Sequence, residues 1–358
     1  MNKVYIDTAL FAVPNYAIDS ETGQEIIDRV IHFSELASPG FPLKMIIADD
    51  VEAMLWGSNM GPDYDQIDQF LEIMELKQIY SANDLLQRYH LLFQQCDRAS
   101  ELNEVEVCHL QDFVADPVLP DVSPALLINE TCRVFATAAA LTSLQQRLHV
   151  GSAFFGSQGT DYSIRTTVLA VGGTDTTKLS QPPVEVQAVV STFTHLRDLI
   201  SSPAADELWS VARTPYDLHF AITVGALALQ KEAGEDIDAA GLTMFAIGSE
   251  FFRSLEEVEC LGNGRYAGAT RELCSQIVAG KCNRQVNPFS LKRQYVRQHD
   301  NATAWRTHLT NSGLGLRLMY WQNVNGIEFA TVDVKSGERI DVGVVSETVG
   351  MDLREYFN

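Results

Sequence analysis

The feature that most constrains this chain is the dipeptide Asn325-Gly326, set between the runs GLRLMYW and GIEFATVDV. Asn-Gly accepts the positive φ angles of a tight hairpin turn, and both flanking runs are rich in β-branched and aromatic residues. The C-terminal part must therefore hold an antiparallel hairpin. Alternation sorts the first strand into two faces, with Leu316, Leu318 and Tyr320 on one and Arg317, Met319 and Trp321 on the other.

Elsewhere the pattern alternates strands with helices. KVYIDTALFAV and LKMIIA read as buried strands. Between them EIIDRVIHFSELA has helical spacing, opened by a capping box from Thr22 to Glu25 and stopped by Pro39-Gly40. DDVEAML, DYDQIDQFLEIMEL and the segment from Ser81 follow as helices, and EVEVCHL as a strand. Three prolines, at 117, 120 and 124, mark a linker or crossing loop. A long Ala/Leu-rich helix comes next, then the strand-like SIRTTVLAV and VEVQAVV and two more helices. The expected class is α/β to α+β and multidomain. Residues 1–112 are expected as a three-layer α/β domain, 113–282 as a mixed helical middle domain, and 283–358 as a small antiparallel sheet with helices. A chain of 358 residues has room for these units and for a core without covalent staples.

The net charge of -21 argues against indiscriminate binding to DNA or anionic membranes by the surface as a whole, and fits docking on a protein partner. The charge is uneven. Arg284 to Arg317 contains six Lys/Arg and one acid, whereas the remainder carries 20 bases against 46 acids. A basic segment on an acidic body is the footprint of a site for RNA or DNA, with Lys292, Arg293, Arg297, Arg306, Arg317 and Trp321 as candidate contacts. Guanidinium and indole groups both stack on bases. The alternatives are that these bases pair with the acidic body, and that Trp321 fills a core.

The six cysteines contain no CxxC pair and are expected to be reduced, in a cytoplasmic setting. No apolar run is long enough for a signal peptide or a membrane span, so no membrane partner is expected. No cofactor is implied. The glycines of LAVGGTDTTKLSQ lack phosphate-loop spacing, and GNGRYAG reads as a turn displaying Arg265 and Tyr266. The histidines at 32, 90, 109, 149, 195 and 219 fall in separate elements.

The order of NATAWRTHLT as a helix, GLRLMYW, an Asn-Gly turn, GIEFATVDVK and a short final strand in ERIDVGVV resembles the RelE/ParE/HigB toxin superfamily over Leu291–Val345. That resemblance implies a helix pair on a small antiparallel sheet and, in many members, metal-independent cleavage of RNA. By position, Arg317 and Tyr320 would line the RNA face, and Arg306 and His308 would add phosphate contacts. His308 and Tyr320 are the candidate general base and acid, with Arg306 and Arg317 holding the phosphate. The last strand offers only Arg339 where family enzymes often end on a basic or aromatic catalytic residue. The resemblance also suggests a defence or growth-control setting. At the other end, VYIDTALF with IIADDVEAML resembles the opening of a PIN-type nuclease, with Asp7 and Glu52 in matching places and Ala9 where Asn is usual. Asp49 and Asp50 can equally cap the following helix, and no metal site is assigned.

Three functions follow as expectations. The first is a nucleic-acid- or partner-binding subunit of a bacterial multiprotein system. The second is a metal-independent endoribonuclease, and the third a non-catalytic adaptor.

Overall fold

A computed structural model describes residues 2–357 apart from 16, 18, 39, 103–104, 120–124, 144–148, 152–159, 174–180, 291–293, 311–314 and 338. The architecture is mixed α/β and multidomain, as the alternating pattern requires. It falls into two compact units, Lys3–Asp198 and Leu199–Asn358, the latter with Met1–Asn2. The expected boundary at 112/113 lies inside a single strand, and the expected one at 282/283 lies within the second unit.

In the first unit, strand β1 (Asn2–Ile6) is followed by helix α1 (Ser20–Leu36). Ile26, Ile27, Val30, Phe33 and Leu36 form its buried stripe. Its cap is Asp19, whose carboxylate accepts from Thr22 N at 2.8 Å, so Thr22 supplies the N–H and not the expected side-chain acceptor. Strand β2 (Leu43–Ile47) leads into α2 (Val51–Gly57), α3 (Tyr64–Ile73), α4 (Ala82–Gln95) and the two-residue strand β3 (Asp97–Arg98). Then come β4 (Val105–Asp116), α5 (Ala125–Ser143), β5 (His149–Gly151), β6 (Asp161–Gly173) and β7 (Val184–Phe193). The seven strands form one mixed sheet in the order β3-β2-β1-β5-β7-β6-β4. β1, β5 and β7 are mutually parallel, while β6 pairs antiparallel with both β7 and β4.

Helix α5 is buried on almost every side from Val134 to Leu141, and its run of alanines lets β4, β6 and β7 pack closely around it. The sheet curls about this helix. β4 stands last in the strand order, yet Asp49 N, just past β2, donates to Glu106 Oε2 at 3.5 Å. That contact brings acidic and basic side chains from four elements to one corner.

The second unit comprises α6 (Ser202–Val211), α7 (Pro215–Glu232), β8 (Phe245–Ile247), α8 (Phe251–Glu257), α9 (Ala267–Val278), β9 (Val286–Pro288), β10 (Thr303–His308), β11 (Leu316–Asn323) and β12 (Gly326–Val334). α7 opens with a complete capping box, Thr214 and Asp217, and Pro215 in its first turn. It is the core helix, and α9 approaches it closely. A Cβ at Gly225 would stand 2.4 Å from Ser275 Oγ. The sheet order is β8-β12-β11-β10-β9, antiparallel except for β8 on β12.

The expected hairpin forms, but Asn323 pairs with Gly326, so Val324 and Asn325 make the turn and of the dipeptide only Gly326 takes a positive φ. Gly326 has φ +141°, and a Cβ there would meet Met244 O at 2.2 Å, so both the turn and the neighbouring backbone demand glycine. Two expectations are corrected. NATAWRTHLT is not a helix: residues 303–308 form β10, hydrogen-bonded to β9 on one side and β11 on the other. Thr303, Trp305 and Thr307 alternate with Ala304, Arg306 and His308, a period-two pattern that pairing on both edges satisfies. Residues 339–344 form no strand either. They cross the sheet as a strap, Ile340 burying itself beside Met319 and Trp321.

Candidate nucleic-acid interface

β11 sorts its side chains as alternation dictates. The register shift between β11 and β12 at Met319/Tyr320 comes from an extra residue on β12, so β11 keeps its period. Tyr320 turns to the helix-covered side, edge-on to Phe329, which stacks on Phe251 of α8. Burial, with Cys282 adding, pushes the Tyr320 hydroxyl up to about 12. Arg317 and Trp321 lie on the other side, with Ala304, Arg306 and His308 of β10 as same-face neighbours. Ala304 pairs with Trp321, Arg306 with Met319 and His308 with Arg317. The candidate catalytic pair, His308 and Tyr320, is therefore split across the sheet and does not share a site.

The open side has two ends. At one, the apolar patch of Ala302, Ala304, Met319, Trp321, Ala330 and Ile340 lies under the strap. Trp321 is 1% exposed and donates its indole N–H to Asp341 O at 2.7 Å, so it fills a core rather than presenting a stacking face. Arg297 lies over that indole at 5.0 Å, held by Asp300 (3.1 and 2.7 Å), Glu328 (2.8 and 2.9 Å) and Val342 O (2.9 Å). Its charge is answered inside the fold, and the Arg297 partnership holds the Asp300 carboxyl down at about 2. Arg297 is a structural hub, not an outward nucleic-acid contact. Arg284 is likewise committed, donating to His308 O at 2.9 Å and Leu309 O at 2.5 Å. Lys292 and Arg293 lie outside the described residues.

At the other end Arg306, His308, Arg317 and Lys335 converge. Burial lowers the proton affinity of His308, and Arg317, Lys335 and Arg306 lower it further. Burial and then Arg306 do the same to Arg317. Three cations thus bear on His308 and one of them on Arg317, the mark of cations crowded at one place. Asp333 lies opposite Arg317 on β12. Lys335, just past β12, belongs to the cluster and was absent from the sequence-derived candidates. Its position two residues beyond Asp333 on a face-alternating strand was the signal available.

The N-terminal carboxylates tell a different story. Asp7 is fully buried. It caps a 3-10 turn through Ala9 N (3.2 Å) and accepts from Thr131 Oγ1 (2.9 Å). Asp49 accepts from Ser100 N and Oγ at 3.1 and 3.0 Å, and Glu52 pairs with Arg98. Arg133 of α5 reaches Glu130 (2.9 Å), Glu106 (3.5 Å) and Asp50 (3.4 Å) together. Burial first, with Asp50 and Asp49 adding, pushes Glu106 up to about 7 against the opposing Asp49 N–H and Arg133. Sequence reasoning passed over Glu106, Glu130 and Arg133, because only the curl of the sheet gathers them. Among the described residues, no group of three or more His, Cys, Asp or Glu is placed to hold a metal ion. No helix among them is long and apolar enough to cross a membrane. Against protein-family models, curated proteins and solved structures, the chain gives no match.

Proposed function

We propose that the chain is a nucleic-acid-binding subunit that grips the phosphates of a single strand with Arg306, His308, Arg317 and Lys335. The observation that carries this reading is the crowding of these cations on the side of the sheet that the helices do not cover. A phosphate beside them relieves their mutual repulsion and favours the protonated imidazole. The acidic remainder of the chain keeps a polyanion from settling elsewhere, so charge contrast directs the strand to this face. Binding, not cleavage, is the reading supported, since Tyr320, the expected proton-transfer partner of His308, is on the far side of the sheet.

The test is fluorescence anisotropy with a labelled single-stranded RNA across a salt series. Arg306→Ala with Arg317→Ala should weaken binding about 10-fold or more and flatten the slope of log K against log salt by about 1.4, the value for two lost phosphate contacts on a single strand. Unchanged binding in the double variant would sink the proposal. A fall in thermal stability without RNA binding by either form would favour the adaptor reading.

A further inference from the structure

Beside the apolar end of the same face, a cleft of about 580 Å³ opens between residues 294–299, Trp321 and Val342. We propose that this cleft takes one unstacked base of the bound strand, an inference that rests on the phosphate site above.

Its wall is fixed by backbone. Arg297 N donates to Ala302 O at 2.8 Å and Ala304 N to Tyr295 O at 2.9 Å, with Val296 bridged to Thr303, so residues 295–297 run as a short antiparallel rib against β10. The Arg297 clamp ties the rib to β12 and to the strap. The cleft is therefore formed in advance, and its size falls within the range of small-ligand pockets, about 300–1,000 Å³.

The lining selects the ligand. Tyr295 is 37% exposed and leans on two other rings, Trp321 at 5.7 Å and Phe289 at 5.8 Å, which present it as a firm planar surface. Gln294, Gln298 and His299 supply amide and imidazole groups that both donate and accept, as the edge of a base requires. Arg297, the one arginine among the described lining residues, is neutralised by Asp300 and Glu328, so its guanidinium is not offered to a phosphate. A neutral, planar, polar-edged group matches this surroundings; an anion does not. Trp321 and Arg317 share one face of β11 four residues apart, about 13 Å at roughly 3.3 Å per residue. A strand anchored by a phosphate at Arg317 thus reaches the cleft within about four stacked nucleotides at roughly 3.4 Å each, or fewer if extended.

The experiment compares two labelled probes of about twelve nucleotides on the full chain, oligoadenylate and a base-free ribose-phosphate of equal length. Oligoadenylate should bind about 10-fold tighter or better, given the usual worth of one stacked base. Tyr295→Ala should bring the two probes to near equality, and Tyr295→Phe should keep the difference. Tyr295 is at the surface, and an unchanged circular dichroism spectrum verifies the fold of both variants. Equal binding of both probes by the unmodified chain overturns the base cleft and leaves the phosphate site standing. Tight oligoadenylate binding that Arg306→Ala/Arg317→Ala leaves intact does the reverse. Displacement of oligoadenylate by micromolar adenosine overturns the commitment to a strand, because the cleft would then serve a free nucleoside.

Discussion

Two charged regions differ in sign and in the arrangement of their charges. In the first unit, six carboxylates gather where β1, β2, β4 and α5 meet, and nearly every one is spoken for. Arg133 serves three, Arg98 one, and backbone or hydroxyl donors the others. In the second unit, Arg306, Arg317 and Lys335 crowd His308 and lower its proton affinity beyond what burial does, and Arg306 acts likewise on Arg317. A dense patch of one sign is thus a poor guide to a site until its counter-charges are traced. The acidic corner is a structural knot, whereas the basic cluster is where we propose a phosphate sits.

The comparison can be broken first at Arg297, the basic residue that behaves like the acidic corner. Only 5% of its side chain is exposed, and removing it leaves Asp300 and Glu328 facing each other without a cation. Arg297→Ala should destabilise the second unit by about 4 kcal/mol, the usual cost of breaking a buried pair from one side. Urea denaturation followed by tryptophan fluorescence would show it. A loss under about 1 kcal/mol would mean that Arg297 belongs with the binding cations after all.

A smaller effect sharpens the acidic side. Glu106, ordinarily near 4.5, sits at about 7 in the fold. Between these values the folded chain holds a proton that the unfolded chain releases. Its contribution to stability is therefore complete below about 4.5 and declines as pH rises through about 7. Glu106→Gln should erase that slope and stabilise the first unit above pH 7 by about 2 kcal/mol, since Arg133 keeps Glu130 and Asp50. Denaturation midpoints measured across this pH window decide the matter. A variant that follows the parent curve at every pH would show that the Glu106 carboxylate is fully answered by Arg133.

Much of this was legible in the sequence, for identifiable reasons. The hairpin could be read because Asn325-Gly326 and the alternation around it are local. The same alternation separated Arg317 and Trp321 from Tyr320 correctly, since the bulge fell on β12 and left β11 in phase. β10 was misread because six residues with one alanine and one tryptophan satisfy either period; hydrogen bonds to β9 and β11 decide, and those partners are distant in sequence. The charge contrast of residues 284–317 was visible, but not which cations the fold consumes. Arg297 finds Asp300 three residues away, yet its second carboxylate, Glu328, comes from 31 residues further on. Glu106 and Arg133 could not be paired at all without the curl of the sheet around α5.

The finest test of the contrast reads the basic cluster directly. His308 is held below the ordinary imidazole range by burial first, then by Arg317, Lys335 and Arg306. Arg317→Met keeps an apolar stem in place of the guanidinium and removes the largest of these charges, so the His308 pKa should rise. Inorganic phosphate added to the unmodified chain should raise it too, because an anion favours the protonated ring. Both shifts can be followed as pH titrations of the His308 ring resonances, with His219 as an internal reference, since burial is the main cause holding it near 4. If Arg317→Met moves the resonance and phosphate does not, the cations repel one another but do not form a place where phosphate sits. The crowding would then be answered within the fold, and the two regions would differ only in sign.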